Sequence, residues 1–310
     1  MAILVVGSVA FDALETPSGR RERCLGGAAT HFSLAASYFT PVRVIAVVGE
    51  DFGPEEESVF TRRGIDTRGI EHVPGKSFFW KGSYLNNLNE AQTLQTDLNV
   101  FQNFSPKIPV QFEDSEYLFL ANIDPVLQED VRRKMPNVKL VCGDTMNYWI
   151  RDHADNLKRV LKVMDVLLIN DTEVKMLAKD NNLVLAARKV LDMGPRALVV
   201  KHGEYGATAF FCDRSFAGET SVSVPFRAPA LPLAEVVDPT GAGDSFAGGF
   251  FGYIASQPAL TPAVFRRAMF YGSVMGSFAV ERFGTERLQQ LGPNEIEDRF
   301  ALFRQLSHLE

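Results

Sequence analysis

The chain has 310 residues, 46% hydrophobic and 23% charged, which is enough apolar material for one large α/β domain with a sizeable core. A formal charge of -6, with acidic and basic residues interspersed, leaves no basic excess for a nucleic-acid or anionic-membrane partner. Cys24, Cys142 and Cys212 are widely spaced and read as reduced thiols, no apolar run approaches the ~18–20 residues of a membrane span, and the N-terminus lacks a basic leader, so a cytoplasmic protein is expected.

Ala2–Ser8 is a continuous apolar run and reads as a buried strand, with Phe11-Asp12 at its C-terminal end. Gly26-Gly27 then opens an amphipathic helix, Ala28–Tyr38, that Pro41 stops; strand Val42–Val48 and helix Pro54–Arg63 follow. Between about Phe78 and Asn99 partial alternation around Asn86-Asn87-Leu-Asn89 predicts a hairpin with one wet face, either a lid over a site or an edge hairpin. The α/β rhythm resumes with strand Tyr117–Ala121, helix Pro125–Lys134, strand Lys139–Cys142, helix His153–Val163, strand Val166–Ile169, and helices Asp171–Ala178 and Leu183–Met193. Ala197–Lys201, Ala207–Cys212 and Thr220–Val224 read as strands, and Asp244–Ser256, Pro262–Glu281 and Asn294–Leu306 as helices. This order predicts one α/β domain over residues 1–310, a three-layer α/β/α sandwich on a mostly parallel sheet, with a lid insertion at about residues 75–105.

No Gly-x-x-x-x-Gly-Lys-Ser/Thr loop, Gly-x-Gly-x-x-Gly turn after the first strand, His-Glu-x-x-His or Gly-x-Ser-x-Gly is present, and the five histidines form no ligand cluster. Val236–Phe250 carries the chemistry instead. An apolar strand end runs into Asp238-Pro-Thr-Gly-Ala-Gly-Asp and then into an apolar helix. Such a turn gathers free backbone N–H groups and the positive end of a helix dipole at one point, which suits an anion. Asp244 adds a carboxylate able to accept a proton. A donor nest beside a base is the equipment for moving a phosphoryl group onto a hydroxyl, although Asp244 would also serve as a helix cap.

Asp238-Pro-Thr-Gly-Ala-Gly-Asp-Ser-Phe-Ala-Gly-Gly-Phe resembles the C-terminal signature of the ribokinase-like, or phosphofructokinase-B-type, carbohydrate kinases. Gly7 with Asp12, then Gly26-Gly27 opening a helix, is similar to the family's substrate-binding start. Asn170-Asp-Thr-Glu173 resembles its Asn-x-x-Glu motif and Lys201-His-Gly-Glu-Tyr-Gly206 its nucleotide-side turn. The four stand in family order across nearly the whole chain.

The resemblance implies an ATP-dependent kinase phosphorylating a hydroxyl of a neutral sugar, with a nucleoside as the alternative acceptor and a non-catalytic sugar- or nucleotide-binding regulator as the second. Asp244 would be the base, and Gly241, Ala242 and Gly243, with the Asp244 N–H, the anion hole for the γ-phosphate. Asp12, Gly26 and Gly27 would hold the acceptor, with His31 and Asn122 as further contacts. Asp12 also reads as a turn-former, Gly26-Gly27 as a plain loop and His31 as a core residue. Asn170, Lys201, Gly203, Gly206 and Ser273 would line the nucleotide side. Glu173 and Asn170 would hold Mg²⁺ largely through water, although the same residues satisfy a helix N-terminus. Asp238 and Thr240 resemble positions that frame a monovalent cation, K⁺. Phe11, Phe79, Trp80 and Tyr84 could stack on a base or serve as ordinary strand residues. The lid could double as a homodimer interface.

Overall fold

The computed structural model describes residues 1–212 and 225–307; the expected strand Thr220–Val224 lies outside them. In chain order the elements are β1 (Ile3–Val6), β2 (Ala10–Thr16), β3 (Gly19–Gly26), α1 (Ala28–Ala36), β4 (Val42–Val48), α2 (Pro54–Thr61), β5 (Asp66–His72), β6 (Phe78–Ser83) and β7 (Gln92–Asp97). They continue as β8 (Tyr117–Leu120), α3 (Pro125–Lys134), β9 (Leu140–Asp144), α4 (Asn147–Asp152), α5 (Ala154–Leu161), β10 (Val166–Asn170), α6 (Asp171–Ala178), α7 (Leu183–Leu191) and β11 (Ala197–Lys201). The chain closes with β12 (Ala207–Phe211), β13 (Phe226–Ala228), α8 (Ala242–Ser256), α9 (Pro262–Ala279) and α10 (Glu295–Ser307).

The large sheet has the order β13-β12-β11-β10-β9-β8-β1-β4-β5, parallel from β11 to β5 and antiparallel at β12 and β13. Its central strands are apolar on both faces because helices cover both. Alternate residues of β1 divide between the two layers: Ile3 and Val5 face a core with α1, α8 and α9, whereas Leu4 and Val6 face one with α3, α5, α6 and α7. In the first, Phe32 of α1 stacks on Phe119 of β8 with ring centroids 4.0 Å apart, and both are fully buried. Each such ring contributes on the order of 1.5–3 kcal/mol by leaving water. Helix α8 runs between α1 and α9 and is almost wholly buried; Gly248 lies against the carbonyl of Phe32, and Gly249 against that of Tyr271.

The small sheet has the order β3-β2-β6-β7. The hairpin expected near residues 78–99 is present as β6 and β7, paired antiparallel. The other two strands, β2 and β3, come from residues 10–26, where the sequence reading has only a strand end and a loop. The first strand stops at Val6, and Asp12 sits inside β2, not at the end of β1. Gly-Arg-Arg-Glu-Arg at the start of β3 is exposed and carries no apolar alternation, so nothing in its pattern marks a strand. Edge strand β5 is missed for the same reason, being mostly polar. Among the described residues no helix is long and apolar enough to cross a membrane.

Candidate active site

The C-terminal ends of the parallel strands collect the polar residues. Ser8, just beyond β1, caps α1: its Oγ accepts from the Ala28 N–H at 3.0 Å and its carbonyl from the Ala29 N–H at 3.0 Å. Gly27 is the N-cap of that helix, so the glycine pair does open it as expected. Asp12 is buried, facing β3 across the small sheet. A Cβ on Gly26 would fall 1.9 Å from Asp12 Oδ2, so only glycine leaves room for this carboxylate. Burial, then the charges of Asp238 and Asp244, push the Asp12 carboxyl up to about 8, against a bond from the Gly27 backbone.

The Gly-rich turn is tighter than its pattern suggests. Helix α8 begins at Ala242, two residues before the expected Asp244, with Gly241 as its left-handed N-cap at φ 73°. Asp244 is therefore the third helical residue. The Ala242 N–H donates to the Pro239 carbonyl at 3.2 Å, and the Ser245 N–H to that of Gly241 at 2.8 Å. Geometry leaves the N–H groups of Gly243 and Asp244 in the unbonded first turn, at the positive end of the dipole. His31 lies beneath the turn: a Cβ on Gly241 would be 2.3 Å from its ring. Burial holds the imidazole down to about 4, hence neutral, and neither ring nitrogen has a hydrogen-bond partner. Gly241→Ala would meet both the left-handed φ and the ring. It is expected to cost about 2–4 kcal/mol of stability, read as a fall in denaturation midpoint.

Asp238 braces the turn from below. Its Oδ1 accepts from the Thr240 N–H at 2.9 Å and its Oδ2 from the Gly284 N–H at 2.8 Å. The Thr240 hydroxyl donates to the Tyr84 hydroxyl at 3.2 Å.

On the other side, the pairing of β10 with β11 sets Asn170 directly beside Lys201. Lys201 Nζ reaches to 3.0 Å from where a Cβ on Gly243 would stand, so this cation lies at the N-terminus of α8. Asn170 and Glu173 form a reciprocal capping box: Asn170 Oδ1 accepts from the Glu173 N–H at 2.8 Å, and Glu173 Oε2 from the Asn170 N–H at 3.0 Å. The helix-capping reading of this motif is therefore met, and it leaves Glu173 Oε1 over. Burial raises the Glu173 carboxyl, with Lys201 opposing. Burial likewise raises Asp244, again against Lys201.

Asp144, at the end of β9, joins this group and escapes the sequence reading. It is buried, its Oδ1 has no hydrogen-bond partner, and burial with the charge of Asp244 drives its carboxyl well up. The expected strand stops at Cys142; carrying it to a carboxylate at the C-terminal edge of a parallel sheet is the signal that would have found it. Lys201 thus serves Asp144, Asp244 and Glu173 together. Among the described residues no three His, Cys, Asp or Glu side chains converge as a direct metal cage. One or two carboxylates with water in the remaining positions is the donor set that suits Mg²⁺.

The remaining residues are more scattered. Asn122 follows β8, with Oδ1 accepting from Trp149 Nε1 at 2.9 Å and Nδ2 directed at Met146 Sδ at 3.1 Å. Gly203 and Gly206 bound the turn after β11. Ser273 is buried on α9 with no partner for its hydroxyl, one turn before Gly276, which approaches the Ala242 carbonyl.

The chain is 27% identical over 264 residues to a cytidine kinase of Thermococcus kodakarensis, covering 83% of this chain and 90% of that protein. It is 25% identical to a nucleoside kinase of Methanothermobacter thermautotrophicus, over 92% and 91% of the two chains. The aminoimidazole riboside kinase of Salmonella enterica, solved with aminoimidazole riboside and an ATP analogue, superposes with a TM-score of 0.75 at 18% identity, over 97% of this chain and 100% of that one. Residues 2–290 match the pfkB family of carbohydrate kinases, and the chain belongs to that family of phosphotransferases acting on hydroxyl groups.

Proposed function

We propose that the protein transfers the γ-phosphoryl group of ATP directly to a hydroxyl of a ribose-bearing acceptor, a nucleoside in preference to a free sugar. The observation that carries the transfer is the half-buried Asp244 in the first turn of α8, beside Lys201 and the Gly241–Gly243 turn. Asp244 accepts the proton of the attacking hydroxyl; burial lifts its basicity towards the working pH. The N–H groups of Gly243 and Asp244, with Lys201, stabilise the charge that develops on the moving group. Asp12 receives two acceptor hydroxyls, with Gly26 and Gly27 bringing the backbone close and His31 and Asn122 on the walls. Asn170, Lys201, Gly203, Gly206 and Ser273 line the nucleotide side.

Glu173 and Asn170, with Asp144, would hold Mg²⁺ through water, and the ion would supply neutralisation of the phosphate charge. A potassium ion at Asp238 and Thr240 would share Asp238 with the two N–H groups it already accepts and would draw otherwise on backbone carbonyls. The exposed edge strands β3 and β7 leave the small sheet free to pair with a second copy, in keeping with a lid-mediated homodimer.

The preference for a nucleoside rests on the names of the two relatives, a cytidine kinase and a nucleoside kinase. A melting-temperature panel with ATP, Mg²⁺ and either nucleosides or ribose, ribitol and fructose tests it by mass action. A true acceptor at 100 times its dissociation constant adds about 2.7 kcal/mol, a rise of about 4 °C in a chain this long. A rise with nucleosides alone supports the proposal; a rise with free sugars alone overturns it in favour of a sugar kinase.

A further inference from the structure

The small sheet is fastened to the large domain along the segment that leads into the phosphate turn. Thr16 Oγ1 donates to the Val237 carbonyl at 2.7 Å, and Ser18 Oγ to that of Val236 at 3.2 Å. Tyr84, directly after β6, then meets Thr240. A few residues on, the connection between β6 and β7 reaches the nucleotide-side turn. Asn89 Nδ2 donates to Glu204 Oε1 at 3.2 Å, and Asn89 Oδ1 stands 2.2 Å from where a Cβ on Gly203 would be. The lid thus touches the turn that holds the γ-phosphate and the turn on the nucleotide side.

Like Thr16, Tyr84 is a buried member of this set. Its main chain is fixed within the lid by its N–H bond to the Glu15 carbonyl at 2.8 Å, so its hydroxyl moves with the lid. That hydroxyl bonds Thr240, whose own N–H is held by Asp238 and whose next residue is the Gly241 N-cap. The charges of Asp238, Asp12 and Asp244 all act on the Tyr84 hydroxyl, which places it in the same electrostatic cluster as these carboxylates. A phenylalanine would serve the packing equally well. The hydroxyl is the part that packing does not explain.

We propose that Tyr84 is a positioning residue for the transfer step: its hydroxyl, carried in by the lid, bonds Thr240 at the mouth of the phosphate turn and ties closure over the acceptor to the alignment of the γ-phosphate. The proposal rests on the reading of residues 241–244 as the phosphate site. When the bond is absent the lid closes without registering on the turn. Water then attacks the γ-phosphorus in place of the acceptor hydroxyl: a new P–O bond forms to water, the bond to the β-phosphate oxygen breaks, and ADP and inorganic phosphate leave with one proton released.

Tyr84→Phe removes the hydroxyl and keeps the ring. With saturating ATP, Mg²⁺ and whichever of cytidine, inosine or ribose the wild type phosphorylates, kcat for acceptor phosphorylation is expected to fall about 5- to 10-fold, the scale of one hydrogen bond. The KM for ATP should stay within about twofold, and the ratio of phosphate released to acceptor phosphorylated should rise. Thr240→Val removes the other half of the bond, so the double variant should be no worse than either single one. Wild-type kcat and release ratio in Tyr84→Phe, additive losses in the double variant, or a loss that follows a lowered melting temperature with an unchanged release ratio would each overturn the proposal. A wild type that neither phosphorylates any of the three acceptors nor releases phosphate from ATP would instead strike the phosphate-site reading, and the proposal with it.

Discussion

Asp244→Asn is expected to lower turnover by about 10²–10⁴ while ATP still binds, the range for loss of a general base. Asparagine matches the carboxylate in volume, keeps the first turn of α8 and leaves the backbone N–H groups of positions 243 and 244 in place. It cannot take a proton. Lys201 keeps Asp144 and Glu173 as partners, so it is not stranded in the variant. Removing one of three carboxylates around one cation relieves repulsion, and the melting temperature should hold or rise. Calorimetric titration with ATP and Mg²⁺ measures binding, and a coupled ADP assay with acceptor measures turnover. Turnover near that of the wild type in a folded Asp244→Asn variant would remove Asp244 as the base, and the anion nest would then need a different proton acceptor.

The reaction was more legible in the sequence than the acceptor site was. Val236–Phe250 is local: one stretch supplies the turn, the donors and the carboxylate, so its chemistry can be read without knowing what packs nearby. Even there the helix starts two residues early, because glycine can take the left-handed N-cap position that a pattern search assigns to a loop. Asn170 and Lys201 are recognisable as strand ends, yet only the pairing of β10 with β11 shows them side by side. The small sheet is the opposite case. Half of it is β2, whose partners lie up to about 70 residues away, as Asp12 and Trp80 do, and β3, which is mostly polar and exposed. Such contacts leave no periodicity in a single sequence. Asp144 was hidden for a related reason: an acidic residue ending an apolar run looks like a turn until the neighbouring strands show it buried beside Asp244.

Asp12→Asn is expected to lower kcat/KM about 10- to 100-fold, the cost of making two charge-assisted bonds neutral, some 1.5–3 kcal/mol. At the same time it should stabilise the unliganded protein at alkaline pH. The sign follows from the carboxyl's rise from 3.8 to about 8. Between those values the folded chain holds a proton that the unfolded chain has released. Wild-type stability therefore falls as pH climbs through this window, by at most about 1.4 kcal/mol per unit, and levels off above about 8. The amide in the variant cannot titrate and still offers an oxygen to the Gly27 N–H. The difference in melting temperature between variant and wild type should thus widen from about pH 5 to about pH 8; parallel curves would show that Asp12 is not the strained group. In the proposed site acceptor binding would reverse the strain, because two hydroxyl donors favour the ionised form. The dissociation constant of wild type for its acceptor should fall with rising pH up to about 8, with a proton released on binding, and that of Asp12→Asn should stay flat. A pH-independent wild-type affinity would place the acceptor hydroxyls on some group other than Asp12.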